Sequence, residues 1–169
     1  ETGVPVTFDF DRDHPQRLLV HQQVGGGPRS AYALLRLRLH DRLADRLVER
    51  LKVLPPRYAA IHIRHTDLKT DYRSALQAVR AQDVRHLFIG TDNAEVVQAA
   101  RAILDRTEVY SFAELPMNGG KPLHIQPDRA EAASRNADAI LDLFTLSLAQ
   151  TLFMVRVMNE NQQLYSGFT

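Results

Sequence analysis

The chain has no cysteine, which excludes a disulfide frame, a thiolate nucleophile and any cysteine-ligated metal. A reducing compartment is compatible with that absence. No apolar run approaches the roughly 18 residues that a membrane span needs, and no basic-then-apolar leader opens the chain. The expectation is therefore a cytoplasmic protein without a membrane span. Charge of one sign is also missing: 21 Lys and Arg face 20 Asp and Glu, a formal net charge of +1. That balance argues against a general polyanion-binding surface, so no nucleic-acid partner is expected. Lysine is scarce, confined to Lys52, Lys69 and Lys121. The arginines that replace it suit planar recognition of phosphate, although coding composition also produces such a bias.

What remains is ordinary for a globular domain. The 169 residues suffice for one core. The chain begins at Glu1 without methionine and stops at Thr169 in what reads as a loop, so a piece of a longer protein is expected. Residues 1–29 have mixed character and read as an N-terminal segment or interdomain linker. Within them, Gly25-Gly26-Gly27-Pro28 breaks regular structure. The triglycine could approach a ligand or act as a hinge, but it lacks the spacing of a dinucleotide fingerprint. Asp9-Phe10-Asp11 has the paired aspartates of a phosphohydrolase without the hydroxyl residue two positions on.

Residues 30–169 read as an α/β domain. After Ser30, a possible cap, Leu35, Leu39, Leu43, Leu47 and Leu51 recur every four residues, with Leu34 and Val48 widening the stripe. Arg38, Arg42, Arg46 and Arg50 fill another face, with Asp41, Asp45 and Glu49 at three-residue offsets. This pattern predicts an amphipathic helix that ends at Pro55-Pro56. Strands are then expected at 58–63, 87–90, 109–112 and 152–155, and helices at 71–81, 94–104 and 136–149. Alternation with short links favours a parallel sheet covered by helices. Ligands of such sheets bind outside the carboxyl ends of the strands, which directs attention to 64–72, 91–93 and the residues after Val155.

The polar residues concentrate at those places. His62-Ile63-Arg64-His65-Thr66-Asp67 closes the first strand. In a strand His62 and Arg64 share a face, and Arg64 at its end could fork onto a diphosphate; a core histidine and a carboxylate-paired arginine would explain the same residues. Gly90-Thr91-Asp92-Asn93 follows the second strand, where Asp92 with Glu95 makes a plausible capping box. Such a cap would also set a helix N-terminus beside the ligand edge. Asp138 and Asp142 lie on the last helix, and Ser166-Gly167-Phe168-Thr169 ends the chain. His124, in the loop before that helix, could approach a substrate or merely pack.

In their motifs and the order of those motifs, these segments resemble the α1,6-fucosyltransferases, including the nodulation fucosyltransferases. Those enzymes carry H-x-R-R-T-D at a strand end, then a T-D-D turn, an aspartate on a later helix and a terminal S-S-F-[ST] turn. The resemblance covers roughly residues 17–169 and has one departure, His65 in place of the second arginine. It implies a GT-B glycosyltransferase of which this chain is the C-terminal, Rossmann-like, donor-binding domain, truncated at its carboxyl end. The donor would be GDP-fucose, the acceptor a glycan, and the transfer inverting, with no metal expected. Arg64, His65 and Asp67 would be catalytic. His62, Arg64, Thr91, Asp92, Asp142, Ser166, Phe168 and Thr169 would bind the nucleotide sugar, with Asp142 at the guanine, Asp138 its second choice, and the terminal turn at the diphosphate. A neutral His65 would leave the site short of one cation. Three other readings stand beside this one: a transferase using another nucleotide sugar, a nucleotide-binding module without turnover, and a structural protein with an inherited fold.

Overall fold

The computed structural model describes residues 38–115, 129–157 and the pair Tyr165–Ser166. All of these but Arg38 belong to one compact unit, Leu39–Phe168. The segment 1–29, Ser30, His124, Phe168 and Thr169 lie outside the described residues.

In chain order the elements are α1 (Asp41–Val53), β1 (Ala59–Ile63), α2 (Tyr72–Ala81), β2 (His86–Thr91), α3 (Ala94–Ile103), β3 (Glu108–Tyr110), α4 (Arg129–Ser147), β4 (Thr151–Phe153), β5 (Val155–Arg156) and β6 (Tyr165–Ser166). The first four strands form one sheet in the order β3-β2-β1-β4. All of its pairings are parallel, with Ile63 opposite Thr91 and His62 opposite Gly90. This is the expected α/β arrangement, a Rossmann-like parallel sheet flanked by helices. The strand order reverses direction between β1 and β4, and such a switch point opens a crevice at the carboxyl edge.

Side-chain alternation explains the layering. Ala59, Ile61 and Ile63 pack with Leu76 and Val79 of α2 and with Val96 and Ala100 of α3. On the other face Ala60 and Phe88 pack with Leu54, Tyr58 and Leu146 of α4. Strands covered on both faces read as near-continuous apolar runs, as these do. Ile61 and Phe88 are fully buried, so truncating Phe88 to alanine would cost roughly 3–5 kcal/mol. Gly90 lets α4 lie close: a Cβ there would stand 3.3 Å from Leu146 Cδ1 and 3.8 Å from Asp142 Cβ. Tyr58 also ties α4 to the sheet, its hydroxyl donating to the Thr145 carbonyl at 2.7 Å.

Several boundaries differ from the expectation. Arg38–His40 is not helical, and α1 starts at Asp41. His40 takes an extended conformation and caps the helix, its side chain accepting from the Arg42 N–H. Val48 is 49% exposed rather than part of the buried stripe. Helix α4 starts at Arg129, some two turns before 136, in a stretch whose alanines favour helix. The fourth strand stops at Phe153; β5 then pairs antiparallel with β6, and the Asp71 N–H donates to the Arg156 carbonyl at 3.1 Å.

Candidate functional site

The two polar segments that are 25 residues or more apart in the chain meet at the carboxyl edge of the sheet. Parallel register brings Ile63 level with Thr91, and the residues just beyond each strand then bond across. Thr91 Oγ1 donates to the Ile63 carbonyl at 2.6 Å. The Asp92 carboxylate accepts the His65 N–H at 2.8 Å and the Thr66 hydroxyl at 2.5 Å. Asn93 Nδ2 donates to the His65 carbonyl at 3.2 Å, while its Oδ1 accepts the Glu95 N–H at 2.9 Å. Asn93, not Asp92, is therefore the cap of α3. Asp92 instead holds the neighbouring loop.

That loop shapes Arg64, His65 and Asp67. Because β1 ends at Ile63, Arg64 leaves the strand rather than continuing the face of His62. Its Nε donates to Asp67 Oδ1 at 2.8 Å and a terminal nitrogen donates to Oδ2 at 2.5 Å. The paired guanidinium holds the Asp67 carboxyl well below the usual range, at about 2. Both side chains are substantially exposed, 45% and 31%, so solvent screening keeps the pair's contribution to stability small.

His65 serves a different purpose from an arginine. Its Nδ1 accepts the Thr70 N–H at 3.2 Å, and a nitrogen that accepts carries no proton. Its ring meets Tyr72 edge-on with centroids 4.7 Å apart. Burial, then nearby Lys69, lowers its pKa. His65 is thus a neutral loop brace, not a second cation. His62 also has a lowered pKa, chiefly through burial, with Asp92 opposing the shift and Arg64 adding to it.

Beside this loop lies a pocket of about 130 Å³ lined by His62, Gly90, Thr91 and Asp92 from the strand ends, Ala113–Leu115 beyond β3, and Arg135, Asp138, Ala139 and Asp142 of α4. Four of the expected binding residues, His62, Thr91, Asp92 and Asp142, come together here. Arg64, His65 and Asp67 do not line it; they form the adjoining loop. Ser166 pairs through its backbone with Val155.

Asp142 is not a solvated carboxylate. Arg50 of α1 donates to Asp142 Oδ1 at 2.7 Å and to Asp138 Oδ1 at 2.6 Å, and Arg46 reaches Asp138 at 2.7 Å. Arg50 is buried and lies 5.3 Å from the centroid of the Phe112 ring. Burial pushes the Asp142 carboxyl up to about 6, against the pull of Arg50, and Asp138 adds to the rise. Sequence reasoning did not single out Arg50 or Arg135. For Arg50 the signal was the four-residue arginine period of α1, whose partners looked local but stand on α4. No family model, curated protein or solved structure matches the chain.

Proposed function

We propose that the pocket and the loop Arg64–Asp67 bind a nucleotide sugar, GDP-fucose first among the candidates. In this reading the chain is the donor-binding part of a fucosyltransferase-like enzyme that passes the sugar to a glycan acceptor with inversion. The observation that carries the proposal is the Asp92 bridge to His65 and Thr66. It unites the two segments at the carboxyl edge of the parallel sheet, the edge at which ligands of such sheets bind.

The dimensions favour a divided ligand. A cavity of about 150 Å³ suffices for a six-membered ring, whereas pockets that enclose a whole drug-sized ligand run to roughly 300 Å³ or more. The pocket, at 130 Å³, suits one ring of the donor, with the remainder on the loop. Neutral His62 and the carboxylates can meet ring hydroxyls or N–H groups. Departure of the diphosphate builds negative charge, which a fixed cation stabilises. Arg64 supplies that cation, and Asp67 sets the plane of its guanidinium.

A second reading, binding without turnover, gains from Asp67 and His65. The diphosphate must share Arg64 with Asp67, and a neutral His65 adds no charge. An assay of GDP release from GDP-fucose, with and without glycan acceptors, separates the readings. Acceptor-stimulated release supports transfer, and saturable binding without release supports the binding module. A thermal-shift screen in which no nucleotide sugar stabilises the chain would sink both.

A further inference from the structure

We infer that Arg50 of α1 is a positioning residue of the pocket: its one buried guanidinium sets Asp138 and Asp142 as acceptors for the N–H or O–H donors of the ring that fills it. The inference rests on the nucleotide-sugar reading and adds a residue to that site. Asp138 and Asp142 line the pocket, whereas Arg50 is not among its described lining residues. The four-residue spacing puts both carboxylates on one face of α4. Arg50 bonds to Asp142 at 2.7 Å and to Asp138 at 2.6 Å. Its guanidinium carbon also lies 5.3 Å from the centroid of Phe112, the residue just before the wall Ala113–Leu115. One side chain thus touches the α4 wall and the root of a second.

The arginine bonds, two from Arg50 and one from Arg46, all fall on Oδ1 atoms. Each carboxylate therefore keeps its second oxygen for another donor, and bonds to an ionised acceptor are the strong ones. Charge matters as much as geometry here. The Arg50 and Asp142 side chains are each 9% exposed and that of Asp138 16%. Two carboxylates so buried and so close resist being ionised together without a cation between them. Burial raises the Asp142 carboxyl to about 6 even with Arg50 opposing the rise. Without the guanidinium it holds its proton to higher pH, and a protonated carboxyl presents a donor where the ring needs an acceptor. Stability alone accounts poorly for the cluster, because apolar side chains of similar volume often replace a buried ion pair at no cost.

Calorimetric titration of the whole chain with GDP, from about pH 5 to about pH 8, tests this in wild type, Arg50→Gln, Arg50→Lys and Asp142→Asn. Arg50→Gln should weaken GDP about 10-fold or more near neutral pH. Its affinity should also fall away at higher pH than that of wild type, whose loss is centred near 6. Arg50→Lys keeps the charge without the fork, so its profile should lie between the two. Asp142→Asn should bind weakly and lack the step. The phosphate of GDP titrates near pH 6 as well, but alike for every variant. His62, Asp92, Glu114 and Arg135 of the lining, and Arg46 and Asp138 beside Arg50, are likewise retained throughout. Carbon-13 titration of the Asp142 carboxyl without ligand should show the same upward move in Arg50→Gln. Melting curves establish that each variant is folded; if Arg50→Gln is not, Arg50→Lys and Asp142→Asn carry the comparison. Undiminished GDP affinity in the Arg50 variants or in Asp142→Asn overturns the inference and leaves the nucleotide reading standing. So does an equal loss at every pH with an unmoved Asp142 midpoint, the mark of a merely structural role. No GDP binding by wild type overturns the nucleotide reading, and the carbon-13 midpoint then decides alone whether Arg50 sets the pocket carboxylates.

Discussion

The carboxylate of Asp92, just past the end of β2, accepts the backbone N–H of His65, just past the end of β1, at 2.8 Å. The bond converts two separate strand ends into one polar surface. With the Thr66 hydroxyl on its other oxygen, Asp92 positions the whole turn that carries Arg64 and Asp67.

Replacing Asp92 with alanine should therefore release the loop. Two acceptor contacts disappear, and stability should fall by about 1–3 kcal/mol. GDP affinity should fall with it, while Asp92→Asn, which keeps one acceptor oxygen, should lose less on both counts. Urea denaturation and calorimetry of the two variants check this; an Ala variant as stable as wild type would contradict the bridging role.

Arg50 should be among the costliest polar positions to truncate. Arg50→Ala leaves Asp138 and Asp142 without their shared guanidinium, and removal of one partner of a buried pair typically costs about 3–5 kcal/mol. Arg50→Lys should recover little, because one ammonium cannot reproduce the forked bonds to two carboxylates. A double-mutant cycle with Asp142→Asn should recover part of the Arg50→Ala loss. Strictly additive effects would show that the two side chains do not interact.

The reach of the sequence differs between these two networks for a physical reason. Strands β1 and β2 and helices α2 and α3 stood out because local hydrophobic period and short links agree on them. The loop network was half legible: Asp92 and Asn93 are adjacent, and only three dimensions decide which one caps α3 and which holds the loop. The Arg50–Asp142 pair was not legible, because its partners are 92 residues apart. A regular arginine face on α1 with acidic neighbours at three-residue offsets suggests pairs within the helix, whereas Glu49 pairs with Lys52 and Arg50 turns inward. The start of α1 was misplaced because a leucine period runs through His40 without signalling its extended backbone.

The Asp142 carboxyl makes a prediction with a definite sign. Its folded-state pKa, raised to about 6, exceeds the ordinary carboxylate value, so the native state holds the extra proton between about pH 4 and pH 6. The stability it contributes is full below that window and is lost as pH rises through it. The two neutral histidines act in the opposite sense as pH falls below about 6.5. The informative quantity is thus wild-type stability minus that of Asp142→Asn, which should decline by on the order of 2 kcal/mol from pH 4 to pH 6.5. A flat difference in denaturant midpoints would contradict the raised value.

The role of His65 can be read from its nitrogens. Acceptance of the Thr70 N–H at Nδ1 requires the neutral tautomer with its proton on Nε2. Nitrogen-15 shifts at pH 7 should report that tautomer, and the titration midpoint should lie below 6.5, in the direction that burial drives it. A midpoint above about 7 would make His65 mainly a cation at neutral pH after all. His65→Ala should then weaken GDP binding nearly as much as Arg64→Ala, instead of less.

The most direct measurement is the affinity of the whole chain for GDP, by calorimetry, in wild type and Arg64→Ala. Saturable one-site binding is expected in wild type and its loss in the variant, with both proteins melting at similar temperatures because the Arg64–Asp67 pair is exposed. Equal GDP affinities in the two proteins would contradict it.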